Sequence, residues 1–293
     1  MDNRLINPRP LSDKMFLRFS KFIQNELGIR MPEVKKLMLQ SRLLKRLRKL
    51  RITTFEEYYD YVFSTQGLKD ELGLLIDAVT TNKTDFFREP KHFDYLVKTV
   101  LPEIMSIRTN PYKAQVVVWS AGCSTGEEPY TLAMVLSEFA RTHKDFNFKV
   151  IGTDISGEAL EKARIGIYDT EKAEPIPMTY KTKYLLKSKD KSRGLIRVAP
   201  QLRYIVDFRI HNLVEDRFTI RISPDIIFFR NVMIYFNRKT QEKVLNNLCK
   251  RLKPKGFIFT GHSETLSGLA VPLVSVEPTV YRKKRQHKHP HQL

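Results

Sequence analysis

The stretch Val116-Val117-Val118-Trp119-Ser120-Ala121-Gly122-Cys123-Ser124-Thr125-Gly126-Glu127-Glu128-Pro129-Tyr130 decides the fold. Its first part, Gln115–Trp119, is a short β-rich run, and Pro129–Ala140 has helical character. Between them Gly122 and Gly126 let the backbone turn tightly and approach a ligand. A strand, a glycine loop and a helix make the first unit of an α/β sheet, which binds ligands at the carboxyl ends of its strands. The loop is neither the G-x-G-x-x-G of dinucleotide enzymes nor a phosphate-binding P-loop. It ends instead in Glu127-Glu128, which complements a helix N-terminus but would repel a pyrophosphate.

Working outward, Phe148–Thr153 reads as a second strand and Ser156–Ala163 as a second helix. Further strands are expected at Tyr204–Ile210, Asp225–Phe229, Gly256–Thr260 and Leu273–Arg282, with a helix at Lys239–Leu252. The alternation predicts a mostly parallel sheet wound by right-handed crossovers. The second strand ends in Asp154, 28 residues after Gly126. An acid there can accept hydrogen bonds from both hydroxyls of a ribose, and with the glycine loop upstream this outweighs a simple helix cap. A nucleoside cofactor without phosphates, ideally a cationic one, suits such a site; S-adenosylmethionine fits.

Upstream, residues from about Ser12 to Thr81 read as all helix. Phe16, Phe19, Phe22, Ile23 and Leu27 repeat at helical spacing and stop at Gly28, and further helices are expected at Thr54–Phe63 and Leu68–Val79. The interruption at about residues 166–203 suggests an inserted small β element or a long surface loop.

The 293 residues carry 51 Lys plus Arg against 32 Asp plus Glu, a formal charge of +19. Eight cations and no acid lie between Val34 and Arg51, and five more without an acid follow Glu277, so two segments hold thirteen of the excess. In the first block Leu39, Leu43, Leu47 and Leu50 form one helical stripe, while Arg42, Lys45, Arg46 and Lys49 share another face. That face is either a solvated surface or a docking surface for an acidic partner; the lack of a relieving carboxylate favours the second. The tail, with His287, His289 and His291, reads as a disordered end, and no functional metal site is assigned. The 42% hydrophobic content excludes wholesale disorder. No apolar run is long enough to span a bilayer, and the N-terminus has no secretory signal. Two cysteines cannot form a disulfide framework, so a cytoplasmic protein is expected. Cys123 reads as a small loop side chain rather than a nucleophile.

Four blocks together, Thr81 to Glu89, Ser120 to Tyr130, Asn212-Leu213 and Phe229 to Phe236, resemble the CheR-type chemotaxis receptor methyltransferases, as does Gly261-His262-Ser263-Glu264. The resemblance covers about residues 12–282. It implies a Rossmann-like α/β methyltransferase with an N-terminal helical domain and an inserted β subdomain. The corresponding spans are 1–80 for receptor docking, 81–89 for an interdomain segment of the cofactor site, 90–282 for the methyltransferase with its insert at 166–203, and 283–293 for the tail. The implied activity is S-adenosylmethionine-dependent methylation of receptor glutamates, with S-adenosylhomocysteine as product.

By the same resemblance Asn82, Thr84 and Arg88 line the pocket, and Glu128 and Asp154 hold the cofactor beside Gly122 and Gly126. Asn212-Leu213 and Arg230-Asn231 would flank its adenine and methionine ends. Arg88 and Tyr235 are the candidates for orienting the substrate carboxylate; Arg88 could instead serve only the cofactor, and Tyr235 could be a core aromatic. The implied partners are the cytoplasmic helices of receptors, docking on Arg42, Lys45, Arg46 and Lys49, with no nucleic acid, no membrane insertion and a monomeric enzyme. In some members the β subdomain grips a receptor C-terminal peptide through a glycine-rich loop; here Lys187 to Arg193 stands in its place. Two rivals remain at this level. One is an RNA or small-molecule methyltransferase on the same fold, against which stands the absence of an aromatic-interleaved basic stripe. The other is a non-catalytic cofactor binder.

Overall fold

The computed structural model describes residues 9–107, 115–215 and 222–284. The histidine-bearing tail beyond residue 284 and the first residues of the chain lie outside these. Among the described residues no helix is long and apolar enough to cross a membrane.

The opening segment folds into helices because each carries its own punctuation. Helix Asp13–Leu27 starts at Ser12, whose hydroxyl accepts from the Met15 N–H, and stops at Gly28 with φ of 71°. Thr54 and Glu57 form a capping box at the start of helix Phe55–Val62. Phe19, Leu39, Leu43, Leu47, Tyr58 and Leu75 from successive helices are fully buried in one core, and Leu50, the last of the leucine stripe, packs against it partly buried.

The main sheet grows from strand β1 (Val116–Ala121) and strand β2 (Phe148–Asp154), paired in parallel with Val118 opposite Val150. Strands β3 (Ile167–Asp169), β4 (Leu185–Lys187) and β5 (Leu195–Val198) form a separate antiparallel sheet in the order β3-β5-β4. This resolves the inserted segment as a small β element rather than a long loop. Strands β6 (Val206–Ile210), β7 (Ile226–Phe229), β8 (Phe257–Thr260), β9 (Leu273–Glu277) and β10 (Val280–Lys283) complete the main sheet, in the order β6-β2-β1-β7-β8-β10-β9. It is parallel from β6 to β8, and β10 and β9 add an antiparallel edge. The winding direction reverses between β1 and β7, which places the switch-point crevice at their carboxyl ends.

Several boundaries differ from the sequence expectation: the helix expected at Leu68–Val79 is two, Gly67–Asp70 and Leu72–Val79, and Lys283, expected in the tail, ends β10. Pro200 opens a helix, Pro200–Ile205, so β6 begins only at Val206. The run Leu273–Arg282 is a hairpin, broken where Thr279 takes φ of 60°. Ser156 is an N-cap, accepting from the Ala159 N–H, so its helix starts at Gly157.

The basic helix Lys36–Leu50 also departs from expectation. Arg46 donates Nε and Nη2 to the two oxygens of buried Glu71, at 2.8 and 2.7 Å. Arg42 donates to the carbonyls of Val79 and Thr80, at 2.9 and 2.7 Å, capping helix Leu72–Val79. The relieving carboxylate absent from the local sequence comes from 25 residues away. Of the four cations assigned to docking, only Lys45 and Lys49 are exposed; Arg42 and Arg46 are internal ties.

Candidate active site

The pocket is built first from the ends of β1 and β2. Gly122 has φ of 83°, and its N–H donates to the Thr153 carbonyl at 2.8 Å, folding the loop back over β2. A Cβ there would lie 2.5 Å from Val232 Cγ2, so the close approach itself requires glycine. Asp154 Oδ2 accepts from the Ser124 N–H at 2.7 Å and Oδ1 from the Ser156 N–H at 2.9 Å. Since Ser156 supplies the helix cap, Asp154 is left to the loop. Glu128 Oε1 accepts from the Ser120 hydroxyl at 2.7 Å. Burial pushes the Glu128 and Asp154 carboxyls above their ordinary range, opposed by Arg230 at Glu128 and by backbone N–H groups at Asp154. Burial likewise raises the Cys123 thiol, with Asp154 and Glu128 adding to it, in keeping with an unreactive loop side chain.

The segment between the helical region and the sheet crosses above this floor. Phe87 and Glu89 take φ of 51° and 58°, and the Phe87 N–H donates to Thr131 Oγ1 at 3.1 Å. Arg230, 5% exposed, joins segment and floor. Its Nη2 lies 3.1 Å from Glu89 Oε2, its Nη1 lies 3.3 Å from Glu128 Oε2, and it donates to the Arg88 carbonyl. Burial acts against the charged form of Glu89, but Arg230, the His262 N–H and two imidazoles outweigh it and hold this carboxyl low. His92, buried beside it, falls to about 4 through burial and the Arg230 charge. From the insert, Lys172 Nζ donates to the Thr84 carbonyl at 2.6 Å and to Asp85 at 2.8 Å, and lies 3.7 Å from Glu127.

The third wall follows β7. Asn231 adopts φ of 58°, and its N–H, that of Gly261 and that of Ile234 all donate to the buried Glu264 carboxylate, at 2.8, 2.7 and 3.3 Å. Asn212 Nδ2 donates to the Glu26 carbonyl at 2.8 Å, fastening the helical region to the sheet. The Arg30 N–H donates to the Tyr235 carbonyl at 2.8 Å, next to a bridge between Ile29 and Phe236.

Asn82, Thr84, Arg88, Gly122, Glu128, Asp154, Asn212, Leu213, Arg230, Asn231 and Tyr235 line one pocket. Gly126 does not. Its φ of 96° and the 2.7 Å that would separate an added Cβ from Ala163 Cβ make it a packing residue at the start of helix Glu127–Thr142. Glu89, Lys172 and Glu264 carry no role that the sequence alone reveals. Glu89 and Glu264 lie within quoted blocks, but their partners are distant in the chain and no local pattern reveals them.

The pocket joins an N-terminal helical region to the switch point of a Rossmann-like sheet, and the comparisons match both halves. The model of the CheR methyltransferase all-alpha domain matches residues 14–80, and that of the CheR methyltransferase SAM binding domain matches residues 82–281. The chain belongs to the CheR methyltransferase family. It is 38% identical to a chemotaxis protein methyltransferase of Borreliella burgdorferi, over 91% of this chain and 93% of that protein. It is 39% identical to that of Escherichia coli, over 92% and 91%, and 39% identical to chemotaxis protein methyltransferase 2 of Pseudomonas aeruginosa, over 87% of each. The CheR domain assignment accounts for the acidic loop: its SAM-binding half has no pyrophosphate to accommodate.

Proposed function

We propose that this CheR family member methylates glutamate side-chain carboxylates of chemotaxis receptors, acting in the cytoplasm as a monomer. The observation that carries the reading is the pocket shared by two acids, half-buried Glu128 and buried Asp154, with Arg88 and Tyr235. The residues suit S-adenosylmethionine. Each Asp154 oxygen accepts one backbone N–H and retains a lone pair for a ribose hydroxyl. Glu128 adds negative charge where a cationic cofactor benefits, and Asn82, Thr84, Asn212, Leu213 and Asn231 complete the cradle. When bound, S-adenosylmethionine supplies an electrophilic methyl group on a sulfonium.

The chain's own residues have a limited task. A glutamate is already ionised at pH 7, with an ordinary pKa of about 4.3, so no general base is needed. Arg88 and Tyr235 are assigned to orient the carboxylate and to replace its water; orientation of this kind can contribute about 7–11 kcal/mol. Arg230 is held by Glu89 and Glu128, which suits it to shape the cofactor wall rather than to meet substrate. In this reading residues 1–80 dock the receptor, 81–89 close over the cofactor, 90–282 carry out transfer and the β element at 166–203 is available to a receptor tail peptide. Docking falls to the exposed Lys45, Arg48 and Lys49.

The test is incubation with methyl-labelled S-adenosylmethionine and receptor-bearing membranes. Base-labile methyl esters on a receptor are expected. Label in RNA, or no transfer despite cofactor binding, would overturn the reading.

A further inference from the structure

Glu89, His92 and His262 come together from two segments far apart in the chain, beside the wall made by Arg88 and Arg230. Glu89 Oε2 lies 3.4 Å from His92 Nδ1 and 3.9 Å from His262 Nε2. All three donor atoms fall within 4.8 Å of one another. We propose that Glu89, His92 and His262 form a binding site for a zinc-class divalent cation that competes with Arg230 for the Glu89 carboxylate.

Four observations support the assignment. First, His92 is 3% exposed, and its Nδ1 is buried without a hydrogen-bond partner although it faces the carboxylate. A buried polar atom in that state is costly unless something bridges it. Second, the other ring nitrogen is 2.8 Å from Thr279 Oγ1, the type of outer contact that fixes a ligating imidazole. Third, the backbone holds the set together: the His92 N–H donates to the Glu89 carbonyl at 3.1 Å, and the His262 N–H to Glu89 Oε1 at 3.2 Å. Fourth, the His262 side chain is 56% exposed, which gives an ion an entry path and room for water at a fourth position.

The donor set selects the metal. Two imidazoles and one carboxylate suit zinc and its first-row neighbours, whereas magnesium and calcium want oxygen. Bonds of about 2.0–2.2 Å require donors about 3.3–3.6 Å apart in a tetrahedron. The His92–Glu89 pair already has that spacing, and the exposed His262 ring has the freedom to close the remainder.

Arg230 gives the site a consequence. Its Nη2 and Nε approach the same Glu89 Oε2 at 3.1 and 3.3 Å. An ion on that oxygen displaces the guanidinium toward its remaining partners, Glu128 and the Arg88 carbonyl. Since Arg88, Glu128 and Arg230 all line the pocket, metal loading is expected to weaken cofactor binding.

The experiment uses the full chain with His287, His289 and His291 changed to Ala, so that the tail imidazoles contribute nothing. Calorimetric titration with zinc chloride should show one equivalent bound, and magnesium should give no binding. His262→Ala removes an exposed ligand without disturbing the core and should weaken zinc at least about tenfold. Zinc should lower S-adenosylmethionine affinity in the parent but not in His262→Ala. Absence of stoichiometric uptake, or unchanged uptake in His262→Ala, overturns the site. Uptake that leaves cofactor affinity untouched overturns the competition with Arg230.

Discussion

Arg46 and Glu71 form a bidentate ion pair between the basic helix and the end of the helical region, and Tyr58 donates a third hydrogen bond to the same carboxylate at 2.9 Å. Glu71 is 1% exposed, so removing the guanidinium strands a buried charge. Breaking such a pair from one side costs about 3–5 kcal/mol. Arg46→Ala should therefore lower unfolding stability by that order, while Lys45→Glu and Lys49→Glu, on exposed side chains, should leave it within about 0.5 kcal/mol. Urea denaturation of the three variants checks this. A charge-reversal test of docking that includes Arg46 or Arg42 would confuse lost binding with lost folding. Lys45, Arg48 and Lys49 are the informative set, and their reversal should impair receptor methylation most at low salt.

Asp154 accepts a backbone N–H on each oxygen, that of Ser124 on Oδ2 and that of Ser156 on Oδ1. Asp154→Asn turns one of those oxygens into a donor facing another donor, and also removes the charge available to the ribose. Hydrogen bonds to charged groups contribute about 1.5–3 kcal/mol, so S-adenosylmethionine affinity should fall by roughly ten- to over a hundred-fold. Calorimetry with the purified variant gives the number. Affinity equal to that of the wild type would remove Asp154 from the cofactor site.

What the sequence revealed, and what it hid, follows from the range of the interactions. β1, its glycine loop and the following helix were legible because one short run contains the alternation, the turn residues and the acidic helix start. The leucine stripe of the basic helix was legible for the same reason. The pairing of Arg46 with Glu71, of Asn231 with Glu264 and of Lys172 with Asp85 was not, since each partner lies on a segment placed only by the completed fold. Pro200 is a local signal: a proline at the first turn starts a helix, and β6 is shortened accordingly. Gly126 is ambiguous in the sequence, because the need for a left-handed turn and the need to touch a ligand call for the same residue, and only the fold shows that it serves the turn.

The two loop glycines should separate in experiment. Gly122→Ala imposes a left-handed alanine, costing about 1–2 kcal/mol, and drives its Cβ against Val232, the neighbour of the pocket residue Asn231. Reduced cofactor affinity is expected together with reduced stability. Gly126→Ala meets Ala163 instead and should destabilise the fold while leaving the affinity of the folded fraction near that of wild type. Adding Ala163→Gly should return part of the lost stability, because it removes the 2.7 Å clash but not the backbone strain. Thermal unfolding with and without cofactor distinguishes the two effects.

His211 supplies a pH dependence of known sign. It is 3% exposed, its N–H donates to the Asp154 carbonyl at 2.9 Å, and its ring sits beside Trp119. Burial, with a smaller push from Arg251, lowers it from 6.5 to about 4. The unfolded chain therefore takes up a proton between those values while the folded chain does not. The associated stability is fully present above about pH 6.5, declines as the pH falls, and is gone below about pH 4. The full shift corresponds to about 3 kcal/mol. The raised carboxyls of Glu128, Asp154 and Glu264 work in the opposite direction over part of that window, so the wild-type curve alone is a mixture. Subtracting the curve of His211→Gln, which carries no charge at any pH, cancels the carboxyls. The stability of wild type relative to His211→Gln should fall by about 3 kcal/mol between pH 7 and pH 4 in chemical denaturation. A difference that stays flat across this range would mean that His211 is protonated in the folded protein.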